Sequence, residues 1–175
     1  MATDLVAGIY AAIVTACADS GVAAAGVRRV VVYNGTDPYP VPTAVGVGEL
    51  AEVVIDYEEG SDDPYVPLLH YGQNEHTVPA NDNWREEGSH GFILTVTMPD
   101  VRIAAANSVC NAIKKAFRKA GPTFGLEYVT HWGPFTRNDE LIDSGSDPNA
   151  RGTMRRVCYL RCPFHTELNG NPELS

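Results

Sequence analysis

Apolar residues recur every three to four positions near the start of the chain, where Leu5, Ile9, Ile13 and Cys17 are flanked by Val6, Tyr10 and Val14. The spacing predicts a helix over 4–19 with one broad apolar face. Thr3 can cap it, Asp4 suits its positive end, and Gly21 can terminate it. The pattern then changes period. Residues 27–33 are β-branched and strand-like, and 50–57 alternate Val53, Ile55 and Tyr57 with Glu52, Val54 and Asp56. Between them Pro38, Pro40 and Pro42 mark a turn.

Residues 91–98 give the clearest strand, with Phe92, Leu94, Val96 and Met98 on one face and Ile93, Thr95 and Thr97 on the other. Pro99 and Asp100 open a second predicted helix, 100–119, whose stripe is Val101, Ala105, Val109, Ile113 and Phe117. Its last turns carry Lys114, Lys115, Arg118 and Lys119, where the dipole favours cations, and Gly121-Pro122 stops it. Two further strands are expected, 124–132 with Phe124, Leu126 and Tyr128 on a common face, and 153–163. The polar stretches 58–90 and 134–152 read as long loops, and the tail after Pro163 as frayed. The order α-β-β-β-α-β-β predicts one α+β domain over 1–175, a mostly antiparallel sheet packed on two helices.

Charge narrows the partners. Twenty-two acidic against thirteen basic residues give a net charge of −9, a field that opposes phosphate backbones and anionic lipid. Neither membrane nor specific nucleic-acid binding is expected. No apolar run approaches the roughly 20 residues of a membrane span, and the first residues lack a basic signal region, so the chain is expected to stay in the cytoplasm of the cell that makes it.

Candidate chemistry is sparse. Gly46-Val47-Gly48-Glu49-Leu50-Ala51 spells a variant dinucleotide fingerprint, but a proline-rich turn precedes it and a strand is expected after it, which is the wrong context. The histidines His70, His76, His90, His131 and His165 show no H-x-x-x-H or H-E-x-x-H spacing. Folding can still bring His76, Asp82 and His90 together, the basis of an alternative reading as a small metal-dependent hydrolase. Ser89 and His90 are neighbours on a strand and point to opposite faces. Ser144-Gly145-Ser146-Asp147 has the composition of a turn. Cys17 and Cys110 fall on apolar helix stripes. Cys158 and Cys162 share a strand face roughly 13 Å apart, too far for a disulfide. Reduced core cysteines are expected, with no catalytic residue, cofactor or metal.

Two opposed charge clusters remain. Asp56, Glu58, Glu59, Asp62 and Asp63 form one, and Lys114, Lys115, Arg118, Arg151, Arg155 and Arg156 the other. They are candidates for an acidic-to-basic contact between subunits. The loops add apolar anchors, among them Tyr65, Leu68, Tyr71, Trp84, Leu141 and Ile142, of the kind that find burial on a neighbour.

The order of elements, and the stretch Arg151-Gly152-Thr153-Met154-Arg155-Arg156-Val157 leading into a closing strand, resemble the tail terminator proteins of tailed bacteriophages over roughly residues 3–163. The resemblance implies a structural virion protein, assembled in the host cytoplasm, without enzymatic chemistry. It implies a hexameric ring on the end of the tail tube, with the tail tube protein and a neck or head-connector protein as partners. A related neck or minor tail protein is the neighbouring alternative.

Overall fold

The structure, a computed structural model, describes residues 2–32, 51–57, 68–69, 84–143 and 154–170. In chain order these form α1 (Ala2–Cys17), α2 (Ser20–Ala24), β1 (Val27–Val32), β2 (Ala51–Tyr57), β3 (Leu68–Leu69), β4 (Trp84–Met98), α3 (Ile103–Ala120), β5 (Val129–Trp132), β6 (Thr136–Asp143) and β7 (Met154–Gly170). The fold is α+β.

The strands make one sheet in the order β1-β2-β4-β7-β5, with β3 also on β4 and β6 also on β7. Among the described residues only β1 and β2 run parallel, and the other pairings are antiparallel. The spine is the β4–β7 ladder, in register from Trp84↔Gly170 to Met98↔Arg156. The far edge of β7 is shared. β6 takes its first half, from Met154 to Arg161, and β5 takes its second, from Phe164 to Thr166. Gly133, at φ +95°, lies between β5 and β6 and donates its N–H to the Pro163 carbonyl at 2.8 Å.

Alternation decides which face is covered. Val53, Ile55, Phe92, Leu94, Val96, Met98, Cys158, Leu160, Cys162 and Phe164 are buried and belong to one core with the helices. From α1 come Val6, Ile9, Ile13, Ala16 and Cys17, and from α3 come Ala106, Val109, Cys110, Ile113, Ala116 and Phe117. Phe117 anchors an aromatic group, with ring centroids 4.9 Å from Phe124, 5.0 Å from Phe135 and 5.5 Å from Trp132. The opposite sheet face is also shielded around Glu52, Val54, Thr95, Thr97, Arg155 and Val157, a more polar set.

Several expectations need correction. The first helix ends at Cys17 because Asp19 caps a new one: its carboxylate accepts the Gly21 N–H at 2.8 Å, so Gly21 lies in the first turn of α2 instead of ending α1. The second helix begins at Ile103, and Val101 stands outside it, 38% exposed. The expected strand 124–132 is a turn until Val129, since Phe124 and Gly125 adopt positive φ, which breaks strand geometry. The stretch 58–90 contains β3 and the first half of β4. The stretch 134–152 contains β6. Residues 164–170 are not frayed, because β7 continues to Gly170 against β4.

Candidate functional site

β6 alternates in sequence as Thr-Arg-Asn-Asp-Glu-Leu-Ile-Asp, so Arg137, Asp139, Leu141 and Asp143 share the face toward α3. Asp139 accepts two hydrogen bonds from Arg137, from Nε at 2.6 Å and Nη2 at 2.5 Å. A second guanidinium, Arg156 on β7, stands 3.5 Å from the same carboxylate. Arg156 also donates from Nε to the Val101 carbonyl at 2.8 Å, and Arg137 donates from Nη1 to Asn107 Oδ1 at 2.7 Å. The cluster therefore ties β6, β7 and the start of α3 together. Arg137 holds the Asp139 carboxyl below its ordinary value, and Asp139 in turn holds the Arg137 guanidinium above its own.

Beneath the ion cluster lie two thiols. Cys110 on α3 and Cys158 on β7 are hydrogen-bonded; that bond lowers the Cys110 pKa and raises that of Cys158. Both are fully buried. All four cysteines are free, as the sequence reading expects.

Around Arg156 the surface turns apolar. Val101 is 38%, Ile103 61%, Leu141 50% and Met154 43% exposed. Leu141 is the register partner of Arg156, and Met154 lies two residues from it on the same face. Val101 carries the carbonyl that Arg156 holds. Asp100 and Arg102 flank the patch as an exposed ion pair, the Arg102 hydrogen bonds bringing the Asp100 carboxyl down to about 2. Asp143, opposite Met154, adds an acid to the same rim.

At the other end of α3 the chain is basic. Lys115 and Arg118 are exposed, Lys119 pairs with Asp19 at 2.6 Å, and the half-buried Lys114 sits 5.8 Å over the Phe135 ring. These cations and Asp56 lie on different sides of the sheet. α3 covers the face of Val53 and Ile55, whereas Asp56 alternates with Ile55 on β2. Arg155 is only 3% exposed and Arg156 is engaged by Asp139 and Val101, so neither stands as a free surface charge. Their place in a burial pattern of alternating strand residues was visible in the sequence, but a run of arginines suggested surface instead. Glu58, Glu59, Asp62, Asp63 and Arg151 lie outside the described residues.

Residues 46–50 of the dinucleotide-like fingerprint, His70, His76 and Asp82 of the hydrolase reading, and Ser144–Asp147 also lie outside them. Where the fingerprint requires a helix, β2 begins at Ala51. His90 is buried on β4, with Ser89 half-buried on the opposite face. His131 and His165 are register partners across β5 and β7, and their rings stack at 4.2 Å and 14°. Among the described residues no group of three or more His, Cys, Asp or Glu is arranged to hold a metal ion, and no helix is long and apolar enough to cross a membrane.

No family model and no curated protein matches the chain. Among solved structures it is similar to a chain from the virion of a native gene transfer agent particle, with a TM-score of 0.44 and 16% identity over 91% of this chain and 93% of that one.

Proposed function

We propose that the chain is a structural subunit of a tailed-phage particle, a tail terminator that forms a hexameric ring, caps the tail tube and presents a docking surface to the neck or head connector. The observation that carries this is the exposed apolar patch of Val101, Ile103, Leu141 and Met154, built beside an ion-paired corner of the sheet. An apolar surface rimmed by charge is what a protein contact requires. The sheet adds open backbone: among the described residues β1 pairs only with β2, and β6 only with β7, so each leaves one edge free for a neighbour. A ring of identical subunits needs two unlike surfaces on each, and the acidic 56–63 segment and the exposed Lys115 and Arg118 of the basic 114–119 segment are the charged candidates.

Electron microscopy of the purified protein at high concentration, with mass determination on the same sample, tests the proposal. Rings of uniform diameter and a mass of six copies are expected. A monomer carrying stoichiometric metal would overturn it in favour of the hydrolase reading.

A further inference from the structure

α3 meets β7 through a pair of thiols, and the surrounding bonds fix how they meet. Asp139 on β6 is the register partner of Cys158 on β7, so the two share the sheet face toward α3. Arg137, held by Asp139, donates from Nη1 to Asn107 Oδ1 at 2.7 Å and ties that turn of α3 to β6. Cys110 follows Asn107 by three residues and lies on the same side of the helix. The Cys110 and Cys158 side chains are hydrogen-bonded, and both are fully buried. The other two cysteines stand apart from this contact. Cys17 belongs to α1, and Cys162 is roughly 13 Å from Cys158 along β7.

The two thiols are unlike. Cys158 donates its S–H to Cys110, which lowers the Cys110 pKa and raises that of Cys158. The cations Arg137 and Lys114 favour the Cys110 thiolate further, whereas the Asp139 carboxylate helps to keep the proton on Cys158. One sulfur is therefore suited to attack and its neighbour to resolve.

We infer that Cys110 and Cys158 are a redox pair, closed to a disulfide by hydrogen peroxide, which clamps α3 to β7. The Cys110 sulfur attacks the peroxide O–O bond, becoming the sulfenic acid and releasing one water. The Cys158 sulfur then displaces that hydroxyl, the S–S bond forms, and the Cys158 proton leaves with the hydroxyl as a second water. Two thiols give up two electrons, and one peroxide accepts them. Burial slows this reaction without changing its partners: a bulky reagent is shut out, while a molecule near the size of water enters through local opening of the core. The bond closes a loop of about 50 residues and so restricts the unfolded chain. It also fastens the helix that carries Ile103 to the spine of the sheet.

Peptide mapping of the unaltered chain tests the inference. The reduced protein is exposed to a small molar excess of hydrogen peroxide, quenched with acid, alkylated in denaturant and mapped by mass spectrometry. The thiol count is expected to fall from four to two, with one cross-linked peptide joining positions 110 and 158. Dithiothreitol should reverse the change, and the oxidised chain should unfold at a higher urea concentration than the reduced one. Cys110→Ser and Cys158→Ser should each abolish the cross-link, and Cys17→Ser should keep it. In the Cys158→Ser chain the sulfenic acid has no partner, and dimedone present during oxidation should label position 110, which a purely structural thiol does not show. Four surviving thiols, a bond between other cysteines, or an unchanged urea midpoint in the cross-linked chain overturns the inference. None of these readouts needs a ring, so the redox pair and the assembly reading stand or fall separately.

Discussion

The Asp139 carboxylate holds the Arg137 guanidinium by two hydrogen bonds on the same face of β6, each partner's side chain 21% exposed. Arg156, 13% exposed, shares that carboxylate. One anion therefore compensates two half-buried cations. Removing it leaves both guanidinium groups facing each other without a counter-charge, the costly half of breaking such a pair. Asp139→Ala is expected to lose about 1–3 kcal/mol of stability in urea unfolding. Replacing both partners, Arg137→Met with Asp139→Leu, is expected to lose less than Asp139→Ala alone. A single-variant loss below about 0.5 kcal/mol would show that solvent already compensates these charges.

The stacked histidines give a pH dependence of definite sign. Burial first, and the neighbouring His131 second, lower the pKa of His165 below its ordinary value. The folded chain therefore binds fewer protons than the unfolded chain between that lowered value and about 6.5. The stability tied to neutral His165 is present above about pH 6.5 and is lost as pH falls through the folded value. His165→Gln removes the titrating group. The urea midpoint of the unaltered chain should fall from neutral toward mildly acidic pH more steeply than that of the variant. Parallel slopes would mean that the pair is solvated like free imidazoles.

Much of this arrangement is written in local periodicity, and some of it is not. The stripe Ile9-Ile13-Cys17 and the alternation from Phe92 to Met98 identify the core correctly because burial falls on every third or fourth residue of a helix and every second of a strand. β6 escaped notice because, among the described residues, it pairs with β7 alone: a strand with Arg137, Asn138, Asp139 and Glu140 shows polar composition on both faces. Its apolar signal is confined to Leu141 and Ile142. The ion cluster followed it out of sight, since Arg137 and Asp139 meet Arg156 only when β6 is laid on β7. The far half of β7 was missed for a related reason. Pro163 suggested an end, but it pairs with Gly91 within a ladder that continues on both sides.

The cysteines should be silent in the folded protein. Burial pushes the Cys17 and Cys162 thiols up to about 12, and the hydrogen bond that Cys158 donates to Cys110 raises Cys158 and lowers Cys110. The thiolate is the reactive form, and none of these groups reaches solvent. A thiol reagent such as DTNB at neutral pH is expected to titrate all four cysteines in denaturant and none on the same timescale in buffer. Rapid reaction of one thiol in buffer would show that the α3–β7 contact opens far more readily than a packed core allows.

A last prediction concerns the approach of α1 to the turn before β5. A Cβ added at Gly8 would stand 2.0 Å from the Tyr128 hydroxyl oxygen and 3.3 Å from its ring carbon Cζ. The helix can come this near only because position 8 has no side chain. In an unobstructed helix Gly→Ala gains about 1 kcal/mol. Here the clash outweighs that gain, and Gly8→Ala is expected to destabilise the chain by about 1–3 kcal/mol. Tyr128→Phe removes the oxygen while keeping the ring, leaving the milder 3.3 Å approach. In that background Gly8→Ala should be near neutral or stabilising. A double-mutant cycle followed by urea unfolding measures the coupling directly. If the two substitutions are simply additive, the hydroxyl is not what excludes a side chain from position 8.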